Sequence, residues 1–339
     1  MKGIACAIAF FVFAVVAISG GQRQQLELGT PVTTGALSVI PILTTERANV
    51  AKYISLAEAT KKGLVEIVEV PGQEQVNSLE VRNKAELPLM LLAGELLIGG
   101  KQDRIVAKDF IVPPHQSARV PVFCVEHGRW QSGAKEFKGG DLFVPDQVRA
   151  SAVMSDPAQK ALARGGAGNQ GQVWDEVSKV NGAAGKVPAT GTVRGTLDDR
   201  DVRQRIEQTT AKLDRQVENS SRTVGMMVWL NGKILSADIF ANHELFDASR
   251  MKLLRSYAVD LYLAKNARPI PVDLTACRKF LNEILTAKRE VGDQSGFGNI
   301  YQIKNGRIMG YESGGGGFAG AAGGAGGGGF GHGTYKPGG

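Results

Sequence analysis

The chain has 339 residues, with 40 Lys and Arg against 33 Asp and Glu and a formal charge of +7. That excess is too small, and too free of interleaved aromatics, for a nucleic-acid-binding module. Three cysteines are too few for a disulfide scaffold, and no two histidines or cysteines have ligand spacing, so neither a metal nor another cofactor is expected.

At the N-terminus Lys2 precedes an apolar run from Gly3 to Ile18, shorter than the roughly 20 residues that a spanning helix needs. With Ala17-Ile18-Ser19 as a cleavage pattern, residues 1–19 read as a signal peptide. The protein is therefore expected to be secreted or periplasmic, with no stable membrane span after cleavage. Residues 20–37 carry Gly, Thr, Pro and Gln without periodicity and read as a linker.

Leu37 to Leu43 is the first predicted strand. Ser55-Leu-Ala-Glu58 is a capping box, which predicts a helix over 55–62 stopped by Gly63. Strands follow over Val65–Val70, Val76–Val81, Leu87–Ala93, Leu96–Ile98, Ile105–Val106, Phe110–Val112 and Val120–Val125. So many short apolar runs, separated by Gly, Pro and charges, predict consecutive antiparallel strands in a sandwich or jelly-roll-like layer. Along Ala118–Glu126 the period of two puts Val120, Val122, Cys124 and Glu126 on one face, and Arg119, Pro121, Phe123 and Val125 on the other. A carboxylate ending an apolar face needs a cation or several N–H donors. Lys101, Arg104 and Arg129 are the candidate cations.

Beyond Trp130 the pattern turns helical. Asp156-Pro157 caps a helix through Ala163, and Val173, Val177 and Val180 form a stripe ending at Asn181-Gly182. A long helix is predicted from Asp199 to Val217, its first acids favoured by the helix dipole. Asn231-Gly232 between Thr223–Leu230 and Lys233–Phe240 predicts a hairpin, and Asn305-Gly306 predicts a second over Ile300–Tyr311. Helices near Ala248–Ala264 and Leu274–Ala287 separate them. The fold class is thus α+β: the antiparallel layer followed by a helical and β-hairpin C-terminal part, as one two-lobed domain over 38–311. From Gly314 onward 15 of 26 residues are glycine, so residues 312–339 are expected to be a disordered tail.

Several motifs have two readings. Gly94-x4-Gly99-Gly100-Lys101 differs from a phosphate-binding P-loop in lysine position and in having Gln102 where Ser or Thr would hold magnesium. Gly99–Arg104 is either an anion-binding turn or a tight turn facing water. Cys124 would need His115 or His243 as a base to be a nucleophile, since His127 lies on the opposite face; a buried thiol is the simpler reading for it and for Cys277. Trp130 and Trp174 suit stacking on a base or sugar, or ordinary packing. Asp175 and Glu176 diverge by about 100° on a helix, so they do not form an acid/base pair.

Taken together, Gly94-Glu95, Gly99-Gly100-Lys101-Gln102-Asp103-Arg104, Cys124-Val125-Glu126-His127-Gly128-Arg129-Trp130 and Gln172-Val173-Trp174-Asp175-Glu176-Val177 resemble the ARG and Rhodanese-Phosphatase-superfamily-associated Protein domain, where ARG denotes ADP-ribosylglycohydrolase. The resemblance implies a site for a small anionic, phosphate- or nucleotide/ADP-ribose-like ligand. On this reading Glu95 and Glu126 are the candidate catalytic carboxylates, and Lys101, Gln102, Arg104, Arg129, Trp130 and Trp174 hold the ligand. The competing reading is a non-catalytic structural or interaction module of the cell envelope, in which the same residues form a buried ion network. An open cleft favours the first and a closed network the second.

Overall fold

The computed structural model describes residues 26–45, 52–70, 77–126, 128, 136–155, 170–295, 298–304, 308–315 and 330–337. The apolar N-terminal run, the helix expected over Asp156–Ala163 and the Asn305-Gly306 turn lie outside them.

The chain opens with β1 (Leu26–Leu28), β2 (Val32–Thr34), β3 (Leu37–Thr44), β4 (Ile54–Ser55) and helix α1 (Leu56–Lys62). Eight strands follow: β5 (Val65–Glu69), β6 (Ser78–Asn83), β7 (Leu89–Leu91), β8 (Glu95–Gly99), β9 (Arg104–Val106), β10 (Phe110–Val112), β11 (Ser117–Cys124) and β12 (Phe137–Phe143). Then come α2 (Asp146–Ser155), α3 (Gln170–Ala184), α4 (Val193–Leu197), α5 (Arg200–Gln216), β13 (Thr223–Leu230), β14 (Lys233–Phe240), α6 (His243–Leu263) and α7 (Leu274–Thr286). The last described strands are β15 (Arg289–Ser295), β16 (Gly298–Lys304), β17 (Ile308–Gly315) and β18 (Phe330–Pro337).

The α+β class holds, and local signals behave as the sequence dictates. Ser55 Oγ accepts the Glu58 N–H at 3.2 Å to start α1, and Gly63 at φ 67° ends it. Asn231 and Gly232 both take positive φ in the β13–β14 turn.

The antiparallel layer is present, but it curls. Its six strands run β12-β8-β9-β11-β6-β5, and the two ends meet at a bridge between Val68 and Glu136, giving a near-barrel. β11 drives the curl, because Ser117–Pro121 pair with β6 whereas Val122–Cys124 pair with β9. Alternation then sorts the side chains. Leu97, Val106, Val120 and Val122 fill the inner core with Ile67, Leu79 and Val81. Leu96, Ile105, Phe123 and Val125 point out into a second core shared with α2, α3, α4 and α5. A small sheet, β10-β7-β4, adds Ile54, Leu89, Leu91, Phe110 and Val112 to the inner core.

The other sheet has nine strands in the order β1-β3-β13-β14-β18-β17-β16-β15, with β2 also on β3. One face, Ile40, Ile42, Met227, Ala237 and Ile239, packs on Cys277, Phe280, Leu281 and Ile284 of α7. The opposite face, Leu37, Val39, Met226, Val228 and Phe240, meets Phe246, Leu253, Leu254 and Tyr257 of α6 together with Met90, Leu92 and Phe143 from the first half of the chain. Because Ala258 and Val259 of α6 also enter the helical core, that helix is the wall between the two halves.

Two sequence expectations need correction. Within the expected linker, 26–28 and 32–34 are short strands on β3, whose open edge pairs them despite their lack of pattern. Within the expected disordered tail, Phe330–Pro337 is a strand inserted between β14 and β17 and hydrogen-bonded on both sides. Glycine misled the composition argument here. A Cβ at Gly333 would stand 2.3 Å from the Tyr335 hydroxyl, so the residue serves close packing. Removing Phe330–Gly339 should therefore lower the melting temperature by more than about 10 °C or abolish cooperative unfolding. Circular dichroism melts of the truncated and parent proteins check this, and equal melting temperatures would show that β18 is dispensable.

Candidate functional site

The turn between β8 and β9 and the end of β11 make one network. Gly99 and Gly100 take positive φ because no side chain fits: a Cβ at Gly100 would enter the Phe137 ring at 2.1 Å. The turn's amides point at protein acceptors. Gly99 N–H donates to Asp103 Oδ1 (3.1 Å), Gly100 N–H to the Glu136 carbonyl (3.0 Å), Lys101 N–H to Glu69 Oε1 (2.9 Å) and Asp103 N–H to Glu126 Oε2 (3.1 Å). Thr190 Oγ1 donates to the other Glu126 oxygen at 2.7 Å, and Gln102 Nε2 donates to the Glu126 carbonyl at 2.7 Å. Arg104 is buried, its Nη1 donating to the Gln102 carbonyl at 2.7 Å. Arg194 from α4 donates through Nε to Asp103 Oδ2 at 2.6 Å, and that bond raises its pKa further.

Glu95 belongs elsewhere. It faces α6, where Lys252 Nζ donates to Oε1 at 2.5 Å and the Leu92 N–H donates to Oε2 at 2.9 Å. The Phe143 ring lies near both this pair and Arg149, with Lys252 Nζ 5.9 Å and the Arg149 guanidinium 5.8 Å from its centroid.

Arg149 opens a second, larger network centred on Asp238 of β14. Its Nη1 and Nη2 each donate to Asp238 at 2.9 Å, a bidentate pair, while Tyr257 Oη and Thr334 Oγ1 donate at 2.7 and 2.6 Å. His332 of β18 lies between two carboxylates, Nδ1 2.8 Å from Asp109 and Nε2 3.4 Å from Asp238. Asp109 also accepts from Ser313 Oγ at 2.8 Å and the Ala93 N–H at 2.9 Å. Lys336 and Arg149 face Asp146, whose N–H donates to Asp260 at 3.2 Å. All but Lys336 are buried. Burial alone would raise the Asp238 pKa, but Arg149 and His332 carry it well below the usual carboxylate range. For Asp260 burial dominates, and with the nearby Asp146 it holds the carboxyl well above that range. Asp109, Asp146 and Asp238 are thus balanced by Arg149, His332 and Lys336.

The sequence profile described as the ARG and Rhodanese-Phosphatase-superfamily-associated Protein domain matches residues 25–318. The chain belongs to that family. Comparison with curated proteins and with solved structures finds no match.

In this member of the family the expected site residues divide. Lys101, Gln102, Arg104 and Glu126 come together at the turn, and Glu95 joins the α6 side. Arg129 and Trp130 lie outside the described residues. Trp174 is half-buried on α3, whose first residue, Gln170, clamps Cys124 through both backbone groups at 2.9 and 2.8 Å. Glu176 pairs with Lys179 at 2.6 Å while Asp175 is exposed, so the two diverge as helix geometry requires. Cys124 and Cys277 are free and buried, and burial raises both thiol pKa values, that of Cys277 to about 11. His115 pairs with Glu86 and His243 with the Thr223 carbonyl, so both candidate bases are engaged elsewhere. Neither cysteine is an activated nucleophile. Among the described residues no group of three or more His, Cys, Asp and Glu is placed to hold a metal.

Sequence reasoning missed Asp109, Arg149, Asp238, Lys252 and His332. One signal was available: Asp238 interrupts the apolar run Ile234–Phe240, and a charge in a strand buried on both faces demands partners.

His332 gives the network a pH signature. Burial would push its imidazole down, but Asp109 and the bond to Asp238 lift it to about 9. A pKa raised on folding stabilises fully below the unfolded value, near 6.5, and that contribution is lost as pH rises through the folded one. The melting temperature should fall between about pH 7 and 10. His332→Gln should be less stable at neutral pH and show a flatter decline; parallel melting curves for parent and variant across that range would refute the assignment.

Proposed function

We propose that the domain is a non-catalytic interaction module acting outside the cytoplasm, in which the side chains expected to work on a ligand instead tie the parts of the fold together. The observation that carries this reading is the saturation of both candidate acid/base carboxylates. Glu95 and Glu126 are 3% and 2% exposed, and each accepts protein hydrogen bonds on both oxygens. A general acid or base must come within hydrogen-bond reach of a substrate proton. Carboxylates enclosed in this way present no oxygen to solvent for that purpose. The turn supports the same reading, because the amides that would cradle a phosphate donate to Asp103, Glu136, Glu69 and Glu126. The location rests on the apolar run Gly3–Ile18 and its cleavage pattern. A place outside the cytoplasm also fits the reading, since free nucleotides are chiefly intracellular.

A second reading, a binding site for a phosphate- or nucleotide-like ligand, draws on Lys101 and Arg194. Their side chains are 31% and 35% exposed, Lys101 paired with Glu69 and Arg194 with the buried Asp103. Thermal-shift titrations of the mature protein with phosphate, ADP-ribose, nucleotides and sugar phosphates separate the two. No shift and no hydrolysis are expected. Glu126→Gln should cost about 1–3 kcal/mol of stability by leaving the Asp103 N–H and Thr190 poorly matched, and Glu95→Gln about 3–5 kcal/mol by stranding Lys252. An anion that raises the melting temperature of the parent but not of Arg194→Ala would replace this reading with the ligand-binding one.

A further inference from the structure

We propose that the groove between β14 and β17 is a strand-acceptor site able to take the C-terminal strand of a second copy of this chain in place of its own. The groove is chemically specific. Its walls are backbone, pairing Ala237–Phe240 and Ile308–Gly314 with the incoming strand. Four carboxylates set the sequence it accepts: Asp109 meets His332, Asp238 meets His332 and Thr334, Glu312 takes the Tyr335 hydroxyl at 2.8 Å, and Asp146 faces Lys336. A strand lacking this order of side chains would bury those acids poorly matched. The occupant is therefore another copy of the same segment.

The way β18 is attached allows the exchange. Its neighbour in the sheet is also its predecessor, with Gly314 opposite Phe330. A hairpin there needs about 2–5 connecting residues. The chain supplies residues 316–329 as well, nine Gly, four Ala and Phe318, enough to span about 45 Å when extended. The family match, residues 25–318, contains the walls of the groove and stops before the strand that fills it. A tether of this length holds β18 near its own groove at an effective concentration in the millimolar range, so the dilute chain closes on itself. Exchange takes over when copies are crowded or the tether is cut short.

Two arms test this. Deleting Gly316–Gly329 leaves Gly315 alone between Gly314 and Phe330, too short for a reversal, so β18 can enter only a partner's groove. Size-exclusion chromatography with light scattering should give twice the parent mass, with a cooperative melt. A deletion variant that stays monomeric at the parent melting temperature overturns the proposal. In the second arm the full chain carries a protease site between Gly323 and Gly324, is cleaved after folding, and is incubated with excess fluorescent peptide spanning 328–339. Uptake is expected, about tenfold or more weaker for the His332→Ala peptide. No uptake of the parent peptide, or equal uptake of both, overturns the proposal, and this arm decides alone if the deletion variant does not fold.

Discussion

Asp238 lies in the middle of an apolar strand, and a charge moved out of water there is stable only if its partners move with it. They come from three other elements: Arg149 from α2, Tyr257 from α6, and His332 and Thr334 from β18. α2 follows the last strand of the near-barrel, α6 is the wall between the two halves, and β18 comes after every other described element. One carboxylate therefore fixes three distant parts of the sequence against a fourth. Hydrophobic packing on α6 brings these parts together; Asp238 sets which groups must meet. A packed interface of Leu and Phe tolerates small slides, whereas a bidentate Arg–carboxylate pair with two hydroxyl donors does not.

The second network works the same way on a smaller scale. Asp103 and Glu126 staple the segment from Thr190 through α4 onto the near-barrel, using Arg194 and the Thr190 hydroxyl. Glu95 and Lys252 do this between β8 and α6. Residue types that would suit acid/base work in a cleft here make contacts between separate elements. Residues of opposite charge from remote parts of the chain have been brought into close contact, and each joint would be costly to break from one side alone.

What could be read from the sequence was what depends on near neighbours. The Ser55 cap, the Gly63 stop, the Asn231-Gly232 hairpin and the alternation along β11 all carry their reasons within a few residues. The need of Glu126 for a cation or for donors was also legible, and the structure supplies donors, the Asp103 N–H and the Thr190 hydroxyl. What sequence could not supply was the partner of each buried charge. Lys252 stands 157 residues from Glu95, and no local pattern points from one to the other. β18 was hidden for a further reason: its glycines allow close packing, but in composition they look like those of a solvated coil. Glu95 and Glu126, read together as one site, end up in different networks.

The place of β18 in the chain has a consequence for how the protein is made. The eight residues that complete the middle of its largest sheet are synthesised well after β14, one of the two strands they join. Until they arrive, β14 and β17 cannot be neighbours through a shared strand, and Asp109 and Asp238 stay hydrated for want of His332. Completion of that sheet therefore waits for β18 to be made. A stop ahead of Phe330 would take away the centre of the sheet rather than its edge, so such a shortened chain should meet quality control as an unfinished molecule.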